Sequence, residues 1–319
     1  MEIIKLEPAF QNYLWGGTKL KTLYNKKCDF DRVAESWELS THPAGESTVA
    51  AGKYKGLKLS EYIEKTGKSV LGKHCAAFSK FPVLIKLIDA KNPLSIQVHP
   101  SDEYAMRVEK EYGKTELWYV LDCEENASLY FGVNREISKE EFRAKIKDNT
   151  ILDVLNQVPV HRGDVFFIEA GTIHAIGAGI LICEIQQNSN TTYRVYDYDR
   201  RDANGNAREL HIDKATDVCT LVPSKSRSAQ EPTEQLNGYT KRRLASCTYF
   251  TSQLFQVSTS CILQITDDSF SSIVFTQGKG TLSSDETRFD FEKGESYFVP
   301  AKRGTVTVSG DCEFILTTV

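Results

Sequence analysis

The chain has 319 residues, of which 40% are hydrophobic and 26% are charged, and its formal net charge is -4. This composition is typical of a soluble globular protein, and the length predicts two domains or one large double-layered β unit. Acidic and basic residues are interspersed, which argues against a nucleic-acid partner. No apolar run approaches the length of a membrane span, and the N-terminal residues do not resemble a signal peptide, so we predict a cytoplasmic protein without a membrane partner.

Eight cysteines are spread along the chain without any C-x-x-C pair. In a chain of this size that lacks a signal peptide, they are predicted to be free thiols, most of them buried. A structural zinc site built on cysteine has no support in this pattern.

The first third of the chain predicts strands separated by a short helix. Residues 35–42 alternate in the manner of a strand with one polar face. Apolar residues recur at helical spacing between residues 57 and 71, so a helix is predicted there. The run from 81 to 88 is apolar except for Lys86. Its charge requires an anion, a pocket, or a side chain that reaches out of the sheet edge.

The next stretch contains candidate metal ligands. Gln97 and His99 are two residues apart in a β-type run, so alternation places both side chains on one face. Glu116 and His174 follow in two further strand-like runs. A single histidine on a strand is more often structural than functional. However, two imidazoles and a carboxylate from three runs are the inventory of an open metal site. An amide is an uncommon zinc ligand, so Gln97 is predicted to be an auxiliary ligand or an orienting group.

Strands and one helical insertion are predicted in the middle of the chain. Two strands lie within 116–132, joined by a polar turn. Residues 138–141 fit a capping box and helical spacing continues to Val158, so a helical insertion is predicted near 138–158. Strands resume at 165–169 and 181–186.

The last third begins with an alternating strand at 193–200, which carries Arg194 on one face. A short helix is predicted at 211–219. A polar segment at 223–238 is predicted to be a linker, and it sets the best domain boundary. Residues 239–319 consist of strand-like runs divided by glycine and aspartate.

An internal repeat relates the two parts of the chain. Residues 163–174 align without a gap with residues 294–305, and Thr305 takes the last position, where the first copy has a histidine. Upstream, Ser272 aligns with Glu116. The C-terminal copy therefore keeps the strand pattern and loses the ligand types, which predicts one metal-binding barrel and one scaffold barrel.

The paired ligands on one strand, the following glutamate and the histidine behind a glycine-containing segment resemble the cupin jelly-roll pattern, with Glu169 where that superfamily usually has proline. Longer segments resemble the short bacterial form of the type I mannose-6-phosphate isomerase (phosphomannose isomerase) family, strongly from residue 10 to about 220 and weakly beyond. These segments are Tyr13–Gly17, Glu35–Glu38, Pro93–Asp102, Gly113–Trp118, Ala170–Gly177 and Thr192–Asp199.

The resemblance implies a mainly β fold with two cupin-type jelly-roll β-barrel units and a short helical insertion. Residues 1–222 are then expected to form a metal-binding catalytic cupin domain with the insertion near 138–158. Residues 223–238 would be the linker, and residues 239–319 a degenerate cupin domain without metal ligands.

Carried over residue by residue, the resemblance also implies a ligand set. One Zn²⁺ per chain is expected on Gln97, His99, Glu116 and His174.

The same resemblance implies a catalytic arginine at Arg194 and a catalytic, substrate-facing lysine at Lys114. It places Ser95 and Lys86 near the sugar phosphate. The implied reaction, part of mannose metabolism, interconverts mannose 6-phosphate and fructose 6-phosphate through a cis-enediolate. A guanidinium suits stabilisation of the developing oxyanion because it stays charged at any working pH. The base that moves the proton is left open between Lys114, Glu38 and a zinc-bound water.

Two other readings of these residues remain open. Two histidines and one carboxylate also describe a non-haem iron oxygenase, although the amide and the lysines, serine and arginine argue against it because oxygen chemistry needs no phosphate anchor. A non-catalytic sugar-binding cupin would make Arg194 and Lys114 recognition groups only. The oligomeric state is open between a monomer and a homodimer.

Overall fold

The computed structural model describes residues 2–201, 204–224 and 231–319. Within these ranges the chain has twenty-one strands and five α-helices, so the predicted mainly β fold is confirmed. No helix in this part of the chain has both the length and the apolar character needed to cross a bilayer. The predicted linker at 223–238 lies partly outside the described residues.

The strands are numbered in chain order. They are β1 (Ile4–Glu7), β2 (Ala9–Gln11), β3 (Glu35–Leu39), β4 (Thr48–Val49), β5 (Val83–Ala90), β6 (Ile96–Val98), β7 (Glu116–Cys123), β8 (Ser128–Val133), β9 (Leu155–Pro159), β10 (Val165–Ile168), β11 (His174–Ala175), β12 (Ile180–Gln187), β13 (Tyr193–Tyr196), β14 (Glu234–Leu236), β15 (Tyr239–Ser246), β16 (Thr251–Val257), β17 (Ser260–Ile265), β18 (Ser271–Ser283), β19 (Arg288–Glu292), β20 (Ser296–Val299) and β21 (Gly304–Thr318).

The helices are short. The α-helices are α1 (Lys19–Thr22), α2 (Leu59–Thr66), α3 (Asp102–Val108), α4 (Lys139–Lys147) and α5 (Ile212–Val218), and 3-10 helices occupy Lys68–Leu71, His74–Ala77 and Ile151–Val154. The helices predicted at 57–71 and 211–219 are confirmed as α2, with the 3-10 turn that follows it, and as α5.

The helical insertion is shorter than its spacing suggested. The Ser138 hydroxyl accepts a hydrogen bond from the backbone N–H of Glu141, so the predicted cap of α4 is confirmed. The helix ends at Lys147, and Asn149 adopts a left-handed backbone conformation with φ 56°. The extension of the helical pattern to Val158 is wrong, because residues 155–159 form β9, which pairs with β8.

The chain divides into two compact units. The first contains the described residues within 1–12, 18–87 and 228–319, and the second those within 13–17 and 88–227. Most residues up to 87 therefore group with the C-terminal segment, to which the pairing of β1 with β20 ties them. The predicted bounds of a catalytic domain at 1–222 and a second cupin domain at 239–319 stay a prediction.

The first unit is built on a large antiparallel sheet. Its strand order is β14-β15-β16-β21-β18-β20-β1-β4, with β17 beside β21 and β19 beside β18. Aromatic side chains fill its core, where the rings of Phe275 and Phe291 stack with centroids 3.5 Å apart and Phe314 packs on Phe275 edge to face. The strands predicted within 239–319 are confirmed.

The second unit has two groups of strands. One group has the order β10-β7-β12 and the other the order β13-β6-β11-β8-β9. The sheets of the described residues run from edge to edge and do not close into a barrel. A jelly roll needs only two facing sheets around its core, so the cupin fold itself stands.

One face of the five-stranded sheet is covered by helices. Ile96, Val98 and Ala175 belong to a buried cluster that also contains Phe142 of α4 and Ala215 of α5. Because side chains alternate along a strand, the residues between them point to the opposite face.

Candidate metal centre and active site

The predicted ligands Gln97 and His174 lie on the face of the sheet that is turned away from α4 and α5. Gln97 of β6 is directly opposite His174 of β11 and also opposite Arg194 of β13. Residues that face each other across antiparallel strands share one side of the sheet. Strand register therefore brings Gln97, His174 and Arg194 together from segments far apart in the sequence.

His99, Glu116 and His174 form a compact buried group. His99 Nε2 is 3.3 Å from Glu116 Oε1, and His174 Nε2 is 3.7 Å from Glu116 Oε2. Their candidate ligand atoms all lie within 4.8 Å of one another, and each side chain is at most 1% exposed. The structure thus brings together three residues that the sequence singled out. Among the described residues, they form a group of histidine and carboxylate side chains that could hold a metal ion.

Backbone carbonyls fix the tautomers of both histidines. His99 Nδ1 is 2.9 Å from the carbonyl oxygen of Thr191, and His174 Nδ1 is 2.8 Å from that of Thr172. A carbonyl can only accept, so each Nδ1 carries the proton. Both Nε2 atoms are left with a lone pair on the side of Glu116, as a metal ligand requires.

The protonation states also suit a divalent cation. Burial, assisted by the charge of Lys114, lowers the pKa of His99 to about 3, and burial lowers the pKa of His174 as well. Burial alone would raise the pKa of Glu116, but Lys114 and His99 outweigh it and hold that pKa well below its usual range. Two neutral imidazoles and a carboxylate are therefore available at neutral pH.

Two of these atoms lack a hydrogen bond. His174 Nε2 and Glu116 Oε2 are buried and have no hydrogen-bond partner within the described ranges. Buried polar atoms without a partner are rare and call for an explanation, and a bound ion is one. The residues present therefore fit a metal ion.

Lys114 lies in the same group. Its ammonium contacts the carboxylate of Glu116 and is 3.3 Å from His99 Nε2. The preceding glycine makes this placement possible, because a Cβ on Gly113 would come within 2.4 Å of the Asp102 backbone nitrogen. Lys114 therefore lies next to Glu116, although it precedes β7, and its catalytic role stays a prediction.

Arg194 and Ser95 are also in contact. Arg194 Nε donates to Ser95 Oγ at 3.3 Å, and its Nη1 donates to the carbonyl oxygen of Glu209 at 3.0 Å. Burial and the neighbouring Arg208 lower the pKa of Arg194. A guanidinium nevertheless stays charged in proteins. A cation is thus held in a fixed orientation on the face that carries Gln97 and His174.

Lys86 belongs to the first unit. It is buried, its ammonium is 3.4 Å from Glu35 Oε2, and it lies 4.9 Å from the centre of the Trp37 ring. The requirement for an anion is therefore met by Glu35. In the same unit Glu38 is 2.6 Å from the ammonium of Lys26. A role of Lys86 toward phosphate stays a prediction.

The sequence reasoning missed a charged cluster behind Arg194. The carboxylate of Asp197 accepts hydrogen bonds from Arg200 and from Arg208, whose Nε is 2.8 Å from Asp197 Oδ2. Arg200 also donates to the carbonyl oxygen of Pro93 at 2.6 Å. The four charged residues within 197–201 were a possible signal, but the pairing depends on a loop return that no local pattern reveals.

Comparison with known proteins shows the family of this chain. A model of the phosphomannose isomerase type I catalytic domain matches residues 3–145, and a model of the mannose-6-phosphate isomerase cupin domain matches residues 240–319. Mannose-6-phosphate isomerase ManA of Bacillus subtilis is 38% identical over 99% of this chain and 98% of its own length. The chain belongs to the type I phosphomannose isomerase family.

Other members of the type I phosphomannose isomerase family support the assignment. Mannose-6-phosphate isomerase of Streptococcus mutans is 36% identical over 98% of this chain and 97% of its own length. The crystal structure of the Bacillus subtilis mannose 6-phosphate isomerase matches all of both chains with a TM-score of 0.92 and 36% identity. Near-complete coverage of these bacterial relatives confirms the resemblance to the short form of the family.

Proposed function

We propose that this chain is a zinc-dependent aldose-ketose isomerase that interconverts mannose 6-phosphate and fructose 6-phosphate through a cis-enediolate. Its family membership supports the activity. The observation that carries the proposal is the shared sheet face, on which Gln97 and His174 lie opposite each other and Arg194 lies beside them. A candidate metal centre and a fixed guanidinium are what a proton transfer next to a carbonyl needs.

His99, Glu116 and His174 would hold the metal, and Gln97 would add an amide oxygen or orient the others. When bound, a divalent ion orders the sugar oxygens and polarises them as a Lewis acid. Zinc suits two imidazoles and one carboxylate with positions left open for substrate.

Arg194 stabilises the negative charge that develops on the substrate oxygen as the enediolate forms. Ser95 and the Glu209 carbonyl hold the guanidinium before the substrate arrives, so little reorganisation is needed during the reaction. Lys114 Nζ donates a hydrogen bond to Glu116, which keeps this nitrogen inside the site as a candidate for moving the proton. Lys86, with its charge already paired to Glu35, would add an electrostatic contact to the phosphate.

A coupled assay tests the proposal. The zinc-loaded protein is given mannose 6-phosphate, and fructose 6-phosphate is converted by auxiliary enzymes into a product whose dehydrogenation is read as NADPH. We expect turnover by the wild type and at least a hundredfold less by the His99→Ala variant. If the protein, fully loaded with zinc or with another divalent ion, does not turn over mannose 6-phosphate, the isomerase activity is contradicted. Consumption of oxygen would instead favour the iron oxygenase. The cytoplasmic location and the oligomeric state, monomer or homodimer, stay predictions.

A further inference from the structure

Gln186 lies beside the candidate metal ligands but is not one of them. It is fully buried on β12, directly opposite Glu116 of β7. The face of β7 that carries Glu116 also carries Trp118, whose ring is 5.2 Å from that of His174. Gln186 therefore belongs to the wall that faces the histidines, because paired residues on neighbouring strands share one side.

The amide of Gln186 is locked in one orientation. Its Nε2 donates to the carbonyl oxygen of Gln187 at 2.8 Å and to that of Ser189 at 2.6 Å. Both partners can only accept, so the nitrogen must occupy this side and the oxygen the other. The usual ambiguity between the two ends of an amide does not arise here.

The carbonyls that lock the amide are themselves held in place. The Gln187 side chain accepts from the Thr115 backbone N–H at 2.9 Å and donates to Asp102 at 2.9 Å. The Ser189 hydroxyl donates to the carbonyl oxygen of Tyr112 at 2.8 Å. The orientation of Gln186 is thus fixed by a network rather than by one contact.

The oxygen of this amide is left over. Gln186 Oε1 is buried and has no hydrogen-bond partner in the part of the chain that the structure describes. Glu116 Oε2 and His174 Nε2, which belong to the candidate metal group, are buried without a hydrogen-bond partner in the same way. A buried acceptor without a donor is unfavourable, and such an atom in a binding site is expected to be met by a ligand.

We propose that Gln186 Oε1 accepts a hydrogen bond from a hydroxyl group of the bound sugar phosphate. The inference rests on the proposed function, since a polyhydroxy substrate brings the O–H donors that the wall lacks. Hydrogen bonds from the amide nitrogen already fix the side chain, so the oxygen loses little conformational freedom when the substrate binds. A site that offers such an acceptor discriminates against an analogue without the hydroxyl, because the acceptor is then left unpaired. Gln186 would thus be a residue that determines specificity for the hydroxyl groups of the sugar chain.

The test compares two ligands on the zinc-loaded protein by calorimetry. Mannitol 6-phosphate has the hydroxyls and the phosphate but no carbonyl, so it binds without reacting, and inorganic phosphate has no sugar hydroxyls. The Gln186→Met variant keeps the side-chain length and removes the acceptor. We expect about tenfold weaker binding of mannitol 6-phosphate, as for one lost hydrogen bond, and unchanged zinc content and phosphate affinity. Gln157→Met, on the exposed side of β9, is the matched control and should bind both ligands as the wild type does.

Several results would overturn the inference. Equal weakening of both ligands would mean that Gln186 acts through the fold, and a loss of zinc would mean that it belongs to the metal site. If Gln186→Met does not fold, Gln186→Asn is measured in the same way, because it keeps a polar amide and withdraws it, with its oxygen, by one methylene. Wild-type turnover separates this inference from the proposed function: an active wild type with unchanged mannitol 6-phosphate binding in the variant refutes only the role of Gln186. An inactive wild type that binds the polyol refutes the isomerase activity and still tests Gln186. A wild type that binds no polyol refutes the inference.

Discussion

Gln97 on β6 lies directly opposite His174 on β11. His99 directly follows β6, and its ring centre is 4.8 Å from that of His174. The same register sets Arg194 on the other side of Gln97. A ligand pair and a guanidinium thus depend on one strand, β6, with a partner on each side.

Substitution of the histidines should empty the metal centre. We expect about one zinc per chain in the wild type and much less in His99→Ala and His174→Ala, because each removes one of three ligands. Gln97→Ala should keep the site and lower zinc affinity by about tenfold to a hundredfold, as expected of an orienting or auxiliary group. Elemental analysis after dialysis measures this. His161→Ala is the control, since its side chain is 82% exposed. Full zinc content in both histidine variants would refute the assignment.

Arg194→Ala should lower kcat far more than it raises KM. The guanidinium meets charge that appears only as the enediolate forms. Loss of one such donor costs about 3 kcal/mol, or at least a hundredfold in rate. Arg194→Lys keeps the charge but loses the planar fork, so recovery should be partial. Arg201→Ala, which removes an exposed arginine of the same segment, is the control. A wild-type kcat with a raised KM would make Arg194 a phosphate clamp.

Lys86→Ala should raise KM more than it lowers kcat, the opposite of Arg194→Ala. Loss of a cation that binds the phosphate would raise KM for mannose 6-phosphate, while zinc content stays at the wild-type level. The variant also leaves Glu35 without the ammonium at 3.4 Å, so thermal stability is measured beside the kinetics. A fall in stability with an unchanged KM would limit Lys86 to a structural partner of Glu35.

Asp197→Asn should weaken both stability and turnover. Its carboxylate holds Arg208, and the next residue, Glu209, supplies the carbonyl that orients Arg194. We expect a loss of about 2 kcal/mol in the free energy of unfolding, typical of hydrogen bonds to a charged group, and a several-fold lower kcat at normal zinc content. Unchanged kcat in a destabilised variant would show that the cluster does not orient Arg194.

The same carboxylate predicts a dependence of stability on pH. Burial would raise the pKa of Asp197, but Arg208 and Arg200 outweigh it and lower that pKa below 3.8. A lowered carboxyl pKa stabilises the folded state above the unfolded value, and the contribution is lost as pH falls below about 3.8 through the lower folded value. Chemical denaturation between pH 2 and 6 should therefore show a smaller acid-induced loss in Asp197→Asn than in the wild type.

All eight cysteines are free in the structure, and four of them are buried and four partly buried. Thiol titration of the denatured, unreduced protein should find eight thiols. In the folded protein Cys75, Cys261 and Cys312 should react slowly, because burial raises the pKa of each to about 12 and leaves little thiolate. A count well below eight thiols in the denatured protein would contradict the prediction of a reducing compartment.

Local alternation was enough to predict most of the site. The two-residue period of a strand predicted that Lys114 lies near Glu116, and the two side chains are in contact even though Lys114 precedes β7. The same period predicted a shared face for Gln97 and His99, where the structure shows Gln97 opposite His174. The partners of Asp197 were not predictable, because they depend on how a loop returns. The strand β9 was missed because Leu152, Leu155 and Val158 also fit a helical period, and its pairing with β8 overrode that spacing.

The pairing of β1 with β20 has a consequence for synthesis on the ribosome. Ile4 lies opposite Phe298, so one edge of β1 waits for nearly the whole chain, whereas β4 can pair with its other edge soon after synthesis begins. At ordinary translation rates this delay is on the order of 15 to 60 s. Apart from a five-residue segment, the second unit comes from one continuous stretch and can be complete much earlier. The nascent protein therefore carries a first strand with one unpaired edge after all residues of the candidate metal centre have been made, and chaperone protection of that edge would matter more than protection of the site.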